Sequence, residues 1–152
     1  MTDKTDHKQK VATGIYIGSV NTAAELTPRD HIDAIVDLSG VDYVALQPSL
    51  HILMDDVMLT PETTKLVIHK FTKCVKFIQA QRELGKNVLV HCVAGINRSA
   101  TCIGMYLISC GWTYDEVIVA LTDANTKRGC ALLTNTSFRQ LLATYAALNN
   151  IK

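Results

Sequence analysis

Apolar positions along this chain follow two alternating rhythms: short β-branched runs closed by glycine or serine, and longer segments in which apolar residues recur every three or four positions. Residues 11–17, with Gly14-Ile15-Tyr16-Ile17-Gly18 at their end, predict the first strand. Asn21 is placed to cap a short helix over 22–26, and Pro28 opens a further helical turn reaching about His31. Asp33-Ala34-Ile35-Val36-Asp37-Leu38, closed by Ser39-Gly40, predicts an interior strand, and 50–53 predicts a third, followed by Met54-Asp55-Asp56. Thr60-Pro61-Glu62 combines an N-cap, a proline at the first helical position and an acid in the first turn. Val67, Phe71, Cys74, Val75 and Ile78 then form one helical stripe that Gly85 ends. Val88 to His91 predicts a buried strand, and from Ser99 the pattern turns helical through Ala100, Cys102, Ile103, Met105, Tyr106 and Leu107 as far as Gly111. Thr113-x-x-Glu116 is a capping box before Val117, Ile118, Ala120, Leu121 and Ala124. Asn135 caps a last helix with Phe138, Leu141, Leu142, Tyr145 and Leu148 on one face.

Strands alternating with helices predict an α/β domain with a small, mostly parallel central sheet sandwiched by helices. A chain of 152 residues, 48% of them apolar, builds one domain over 11–150 and needs no metal or disulfide to fill its core, with residues 1–10 as a flexible polar tail. A net charge of +1 with 19% charged residues argues against nucleic-acid binding by charge density. Five cysteines, at 74, 92, 102, 110 and 130, make no C-x-x-C pair and follow no secretory leader, so reduced thiols in a cytoplasmic or nuclear compartment are expected. No apolar run approaches the ~20 residues of a membrane span.

The candidate chemistry sits where the strand ending at His91 passes into the following helix. Cys92 stands at the strand end, the loop Val93-Ala94-Gly95-Ile96-Asn97-Arg98 follows, and a helix N-terminus with free N–H groups and a positive dipole end is where an anion binds. A phosphate monoester repels a nucleophile with its own negative oxygens, so a site must neutralise charge while presenting a nucleophile in line. Cys92 at a helix N-terminus near Arg98 is placed to be a thiolate. The loop N–H groups can each meet an oxygen if the backbone curls tightly, for which Gly95 supplies the freedom. Arg98 adds a fork that lysine cannot imitate, and the hydroxyl of Ser99 can donate to the sulfur as it leaves. Cysteine and arginine at this spacing arise by chance in roughly one in six such chains, whereas adding Gly95 and Ser99 lowers that to on the order of one in a thousand.

His91-Cys92-x-x-Gly95-x-x-Arg98-Ser99 resembles the signature of the cysteine-based protein tyrosine phosphatase superfamily, and the short chain resembles its dual-specificity branch. The likeness extends over nearly the whole chain, including Gly14 to Ser19, Asp33 to Ser39, Ala100 to Leu107 and Asn135-x-x-Phe138. It implies a metal-independent and cofactor-free protein phosphatase that passes through a phosphocysteine on Cys92 and acts on phosphotyrosine and phosphoserine or phosphothreonine of protein substrates. It further implies an aspartate that protonates the leaving oxygen and then activates water; Ile52-x-x-x-Asp56 fits the family pattern, with Asp55 as the alternative. Two departures stand out. The segment from this aspartate to Phe71 is longer than in most relatives, and prolines are missing from 127–135. The Ile96-Asn97-Arg98 run also resembles relatives acting on RNA 5′ phosphates, and capture of phosphorylated partners without turnover is a third reading.

The remaining polar residues have plainer expectations. His91 either tunes the thiolate or is a hydrogen-bonded structural residue. The other histidines lack ligand spacing. Cys74, Cys102, Cys110 and Cys130 are expected as core filler, Lys70, Lys73 and Lys76 as a solvated face, and Asn97 as a residue easing the loop backbone.

Overall fold

The computed structural model describes residues 8–149. Its sheet has five strands: β1 (Gln9–Ala12), β2 (Ile15–Gly18), β3 (Ala34–Asp37), β4 (Ser49–His51) and β5 (Val88–His91), in the order β1-β2-β5-β3-β4. β1 runs antiparallel to β2, and every other pairing is parallel. The helices are α1 (Val20–Ala24), α2 (Pro61–Glu83), α3 (Arg98–Ser109), α4 (Tyr114–Arg128) and α5 (Thr136–Asn149), with one 3-10 turn at Pro28–Asp30. The mostly parallel α/β sheet is as expected. The single first strand is not: Thr13 and Gly14 reverse the chain, Gly14 with a left-handed φ of 72°, and split it into a hairpin. Gln9 and Lys10, assigned to the tail, belong to β1, while residues 1–7 lie outside the described residues.

Alternation along the strands divides the core. Ile15, Ile17, Ala34, Val36, Val88 and Val90 join the main cluster with residues of α2 to α5, whereas Ile35 and Leu89 point the other way and meet Ala23 of α1, Ile32 and Tyr16. The sheet is therefore covered unequally. Four long helices lie on one face; on the other, α1 shares the cover with irregular segments. α3 is the central helix, packed against α2, α4 and α5 and buried at ten of its twelve positions, all of them between Arg98 and Ile108. Gly104 allows this crowding, since a Cβ there would stand 2.8 Å from the Leu142 side chain and 3.2 Å from Val117. Phe71 of α2 meets Phe138 of α5 edge to face with centroids 5.9 Å apart.

Local signals set most helix ends. Thr60 and Thr113 cap α2 and α4 through their hydroxyls, Glu116 answers Thr113 in the reciprocal bond, and Gly129 stops α4 with φ 73°. The Asn135 side chain accepts the N–H groups of Ser137 and Phe138 at the start of α5. The cap of α1 is Ser19, not Asn21, because the Ser19 and Thr22 side chains exchange bonds with each other's backbone. β3 ends at Asp37, a 3% exposed carboxylate that accepts the Ser39 N–H (2.8 Å) and hydroxyl (2.6 Å) and meets His51 Nδ1 at 2.7 Å. Cys74 and Cys102 are buried as expected, but Cys110 is exposed and Cys130 only partly covered, and Leu148 faces outward. Lys70 is not simply solvated: its ammonium donates to the Leu53 carbonyl at 2.7 Å. No helix among the described residues is long and apolar enough to cross a membrane.

Two stability effects follow. Thr113→Ala should cost about 1 kcal/mol in urea unfolding. Burial pushes the Asp37 carboxyl up, but the Ser39 and His51 hydrogen bonds outweigh it and hold the group below its ordinary value. The unfolded chain therefore binds the proton more readily, so this part of the stability is present above about pH 4 and is lost as the pH falls further. Unfolding of Asp37→Asn followed against pH should show lower stability at neutral pH and a flatter acid limb.

Candidate active site

The loop after β5 lies at the C-terminal edge of the parallel strands, where crossover connections leave open backbone ends. Its backbone is turned inside out: every carbonyl from Cys92 to Asn97 accepts a bond from behind. His91 Nδ1 donates to Cys92 O (3.3 Å), Val20 N–H to Val93 O (3.2 Å), Arg128 Nη2 to Ala94 O (3.0 Å). Arg128 Nη1 and Asn125 Nδ2 both donate to Gly95 O (3.1 and 3.0 Å), Leu133 N–H donates to Ile96 O (3.0 Å), and the Thr101 N–H and hydroxyl donate to Asn97 O. With the carbonyls held outward, the N–H groups are free to face the concave side, and the Gly95 N–H points at Cys92 Sγ from 3.3 Å. Gly95 adopts φ 74°, and a Cβ there would stand 2.6 Å from the Arg128 guanidinium and 2.7 Å from Gly18 O. Glycine is required on both counts.

Cys92, 2% exposed, forms the floor, with the fully buried Ser99 hydroxyl 3.3 Å from its sulfur. Arg98 opens α3. Its Nη1 is fixed by Leu38 O (3.1 Å) and Met54 O (2.6 Å), while Nε is buried with no hydrogen-bond partner among the described residues. An orphaned buried donor costs about 1–3 kcal/mol, and an oxygen of a bound phosphate would satisfy it. Donor N–H groups, a fixed guanidinium and a thiol on one floor can hold a tetrahedral dianion with its phosphorus facing sulfur. No group of three or more His, Cys, Asp or Glu side chains among the described residues could hold a metal.

Asp56 joins this loop through Asn97. Asn97 Nδ2 donates to Asp56 Oδ2 at 2.6 Å, and Asn135 Nδ2 donates to Asp56 Oδ1 and to Val57 O, both at 2.9 Å. Asn97 Oδ1 in turn accepts the Asn135 N–H at 2.9 Å. Asn97 therefore does more than ease the backbone; it is right-handed at φ −114° and ties the two loops together. Asp55 is exposed and has no such tie among the described residues. The long segment beyond Asp56 is pinned by Ser137, whose hydroxyl receives the Leu59 N–H.

His91 is fully buried and anchored on both ring nitrogens: Nε2 accepts the Tyr43 hydroxyl at 2.6 Å while Nδ1 holds Cys92 O. Burial pushes its protonation downward, against the opposing pull of Asp37, which keeps the ring neutral at pH 7. Burial and the Asp37 charge push the Tyr43 phenol up, so it stays a donor. The structural reading of His91 is the one this geometry supports.

Cys92, Gly95, Arg98, Ser99 and Asp56, expected in one site, lie together in the structure, Asp56 through its bond to Asn97. Sequence reasoning passed over Arg128, Asn125, Tyr43 and the second role of Asn135. A trace of Arg128 was visible: Val117, Leu121 and Ala124 are the buried stripe of α4, and a charge at 128 continues it by one more turn into the core.

Comparison with known proteins agrees with this geometry. Residues 15–147 match the dual specificity phosphatase catalytic domain. The rat dual specificity protein phosphatase 15 is 32% identical over 146 residues, 94% of this chain and 59% of its own length. The tyrosine-protein phosphatase yvh1 of Schizosaccharomyces pombe is 27% identical over 97% of this chain and 44% of its own length. The chain thus spans about half the length of these relatives. The crystal structure of DUSP15 superposes with a TM-score of 0.78 at 27% identity, covering 96% of this chain and 92% of that one. A loop with its carbonyls turned outward around a buried cysteine and arginine, on a fold shared across the matched span, shows that this chain belongs to the dual specificity phosphatase family.

Proposed function

We propose that the protein hydrolyses phosphotyrosine and phosphoserine or phosphothreonine in protein substrates through a phosphocysteine on Cys92. The observation that carries this reading is the inward-facing loop, with six consecutive carbonyls bonded outward, set over a buried thiol and the unpartnered Nε of Arg98. The names of the matched relatives, protein phosphatases in each case, support the substrate class.

In the first step the Cys92 thiolate attacks phosphorus in line, the S–P bond forms, and the bond to the leaving oxygen breaks as Asp56 gives that oxygen its proton. The loop N–H groups and Arg98 hold the charge spread over the equatorial oxygens while the bonds exchange. In the second step the Asp56 carboxylate removes a proton from water, the new P–O bond forms, and sulfur departs as a thiolate stabilised by the Ser99 hydroxyl 3.3 Å away. Asn97 and Asn135 set the direction of the Asp56 carboxyl group, which gives a proton in the first step and takes one in the second. A thiolate nucleophile must stay reduced, so the setting we assign is a cytoplasmic or nuclear compartment.

Cys92→Ser should abolish hydrolysis of an aryl phosphate, and Arg98→Lys should lower kcat/KM roughly 100- to 1,000-fold. Retained turnover in Cys92→Ser would sink the mechanism. Asp56→Asn should slow an alkyl phosphate by roughly 100- to 10,000-fold and a nitrophenyl phosphate, whose leaving group needs no proton, far less. An equal loss on the two substrates, or the same pattern in Asp55→Asn instead, would remove Asp56 from the role of acid. Turnover of matched phosphotyrosine and phosphothreonine peptides beside an RNA triphosphate end checks the substrate class, and faster release from the RNA would overturn it.

A further inference from the structure

Arg128 is the largest fully buried side chain of the described residues, at 0% exposure, and it lies at the end of α4, thirty residues beyond the start of α3 and outside the signature loop. Its two terminal nitrogens divide between adjacent peptide groups of the loop, Nη2 to Ala94 O at 3.0 Å and Nη1 to Gly95 O at 3.1 Å. Asn125, one turn earlier and also fully buried, donates Nδ2 to the same Gly95 O at 3.0 Å and to Ala131 O at 2.8 Å, and its Oδ1 accepts Arg128 Nη1 at 2.9 Å. The amide fixes the guanidinium, and the guanidinium fixes the two peptide planes. These planes matter because turning Ala94 O or Gly95 O inward would set a carbonyl against the bound anion and take the N–H of the next residue away from it.

We propose that Arg128, held by Asn125, is a positioning residue for phosphate: a planar fork that locks the Ala94 and Gly95 carbonyls outward and so presents the Gly95 and Ile96 N–H groups to the anion. Lysine offers one point charge where two divergent N–H donors are needed, and cannot reproduce the arrangement. The buried guanidinium also adds a positive charge behind the loop, in a low-dielectric setting where it acts on the phosphate with little screening. This inference rests on the phosphatase reading for its meaning, but not for its test, because binding of inorganic phosphate is measurable without turnover.

The experiment is calorimetric titration of inorganic phosphate into the full chain and into Arg128→Met, Arg128→Lys and Asn125→Ala, with circular dichroism to establish folding and steady-state kinetics on an aryl phosphate. Arg128→Met should weaken phosphate binding by up to roughly 100-fold, with a rise in KM alongside a fall in kcat. Arg128→Lys and Asn125→Ala should fall between it and the parent protein. A merely structural role would lower the active fraction, and hence kcat, while KM and phosphate affinity stayed put. Phosphate affinity within twofold of the parent in a folded Arg128→Met would overturn the proposal; should that variant fail to fold, the same result in both Arg128→Lys and Asn125→Ala would do so. An inactive parent protein that nevertheless binds phosphate, and loses it in Arg128→Met, would leave the fork in place and refute the phosphatase reading instead.

Discussion

An anion loop depends on a backbone that shows one polarity to its ligand. A peptide chain carries N–H and C=O in equal number, so a concave surface of N–H groups exists only where every carbonyl finds a donor on the convex side. In this protein those donors come from five separate places: Val20 at the start of α1, His91 of β5, Asn125 and Arg128 of α4, Leu133 before α5, and Thr101 of α3. The site is thus a property of the whole fold. Leu133 reaches Ile96 O with a left-handed φ of 47°, a conformation costing a side-chain-bearing residue on the order of 1–3 kcal/mol that its 1% exposed packing offsets.

The catalytic geometry grows from that constraint. Once the loop is curled, α3 points its N-terminus and its first residue, Arg98, at the concave side, and the helix holds its place because α2, α4 and α5 surround it. Asp56, the acid of the proposed mechanism, comes from a loop distant in sequence and is attached to the anion loop by a pair of amides, Asn97 on one side and Asn135 on the other. Asn135 serves two ends: its Oδ1 caps α5 while its Nδ2 carries Asp56, so the stability of a helix start and the aim of a carboxylate share one side chain. Behind the loop, neutral His91 is a strut between Tyr43 and the Cys92 carbonyl.

Much of this was legible in the residues. Strand and helix rhythms, capping boxes at Thr113 and the proline-led start of α2 marked most elements, because those signals are local. The hairpin at Gly14 was missed since a strand period of two continues across a tight turn, and the α1 cap was misplaced because Ser19 and Asn21 are both competent capping residues two positions apart. Cys92, Arg98 and Ser99 could be placed together because seven consecutive positions carry the nucleophile and the cation. Asn97, Asn125 and Arg128 could not be interpreted in the same way: their meaning lies in which groups they meet, the Asp56 carboxylate and the Asn135 N–H for Asn97 and the loop carbonyls for Asn125 and Arg128, and those contacts are made 30 or more residues away in the chain.

The proposed mechanism requires phosphorus to become bonded to Cys92. Rapid acid quenching of the enzyme with an aryl phosphate, followed by intact-protein mass spectrometry and peptide mapping, tests it directly, above all in Asp56→Asn, where loss of the base slows breakdown of the intermediate. One phosphate per chain is expected, carried on the peptide containing Cys92. Turnover without any phosphoenzyme, or a phosphate on another residue, would contradict it.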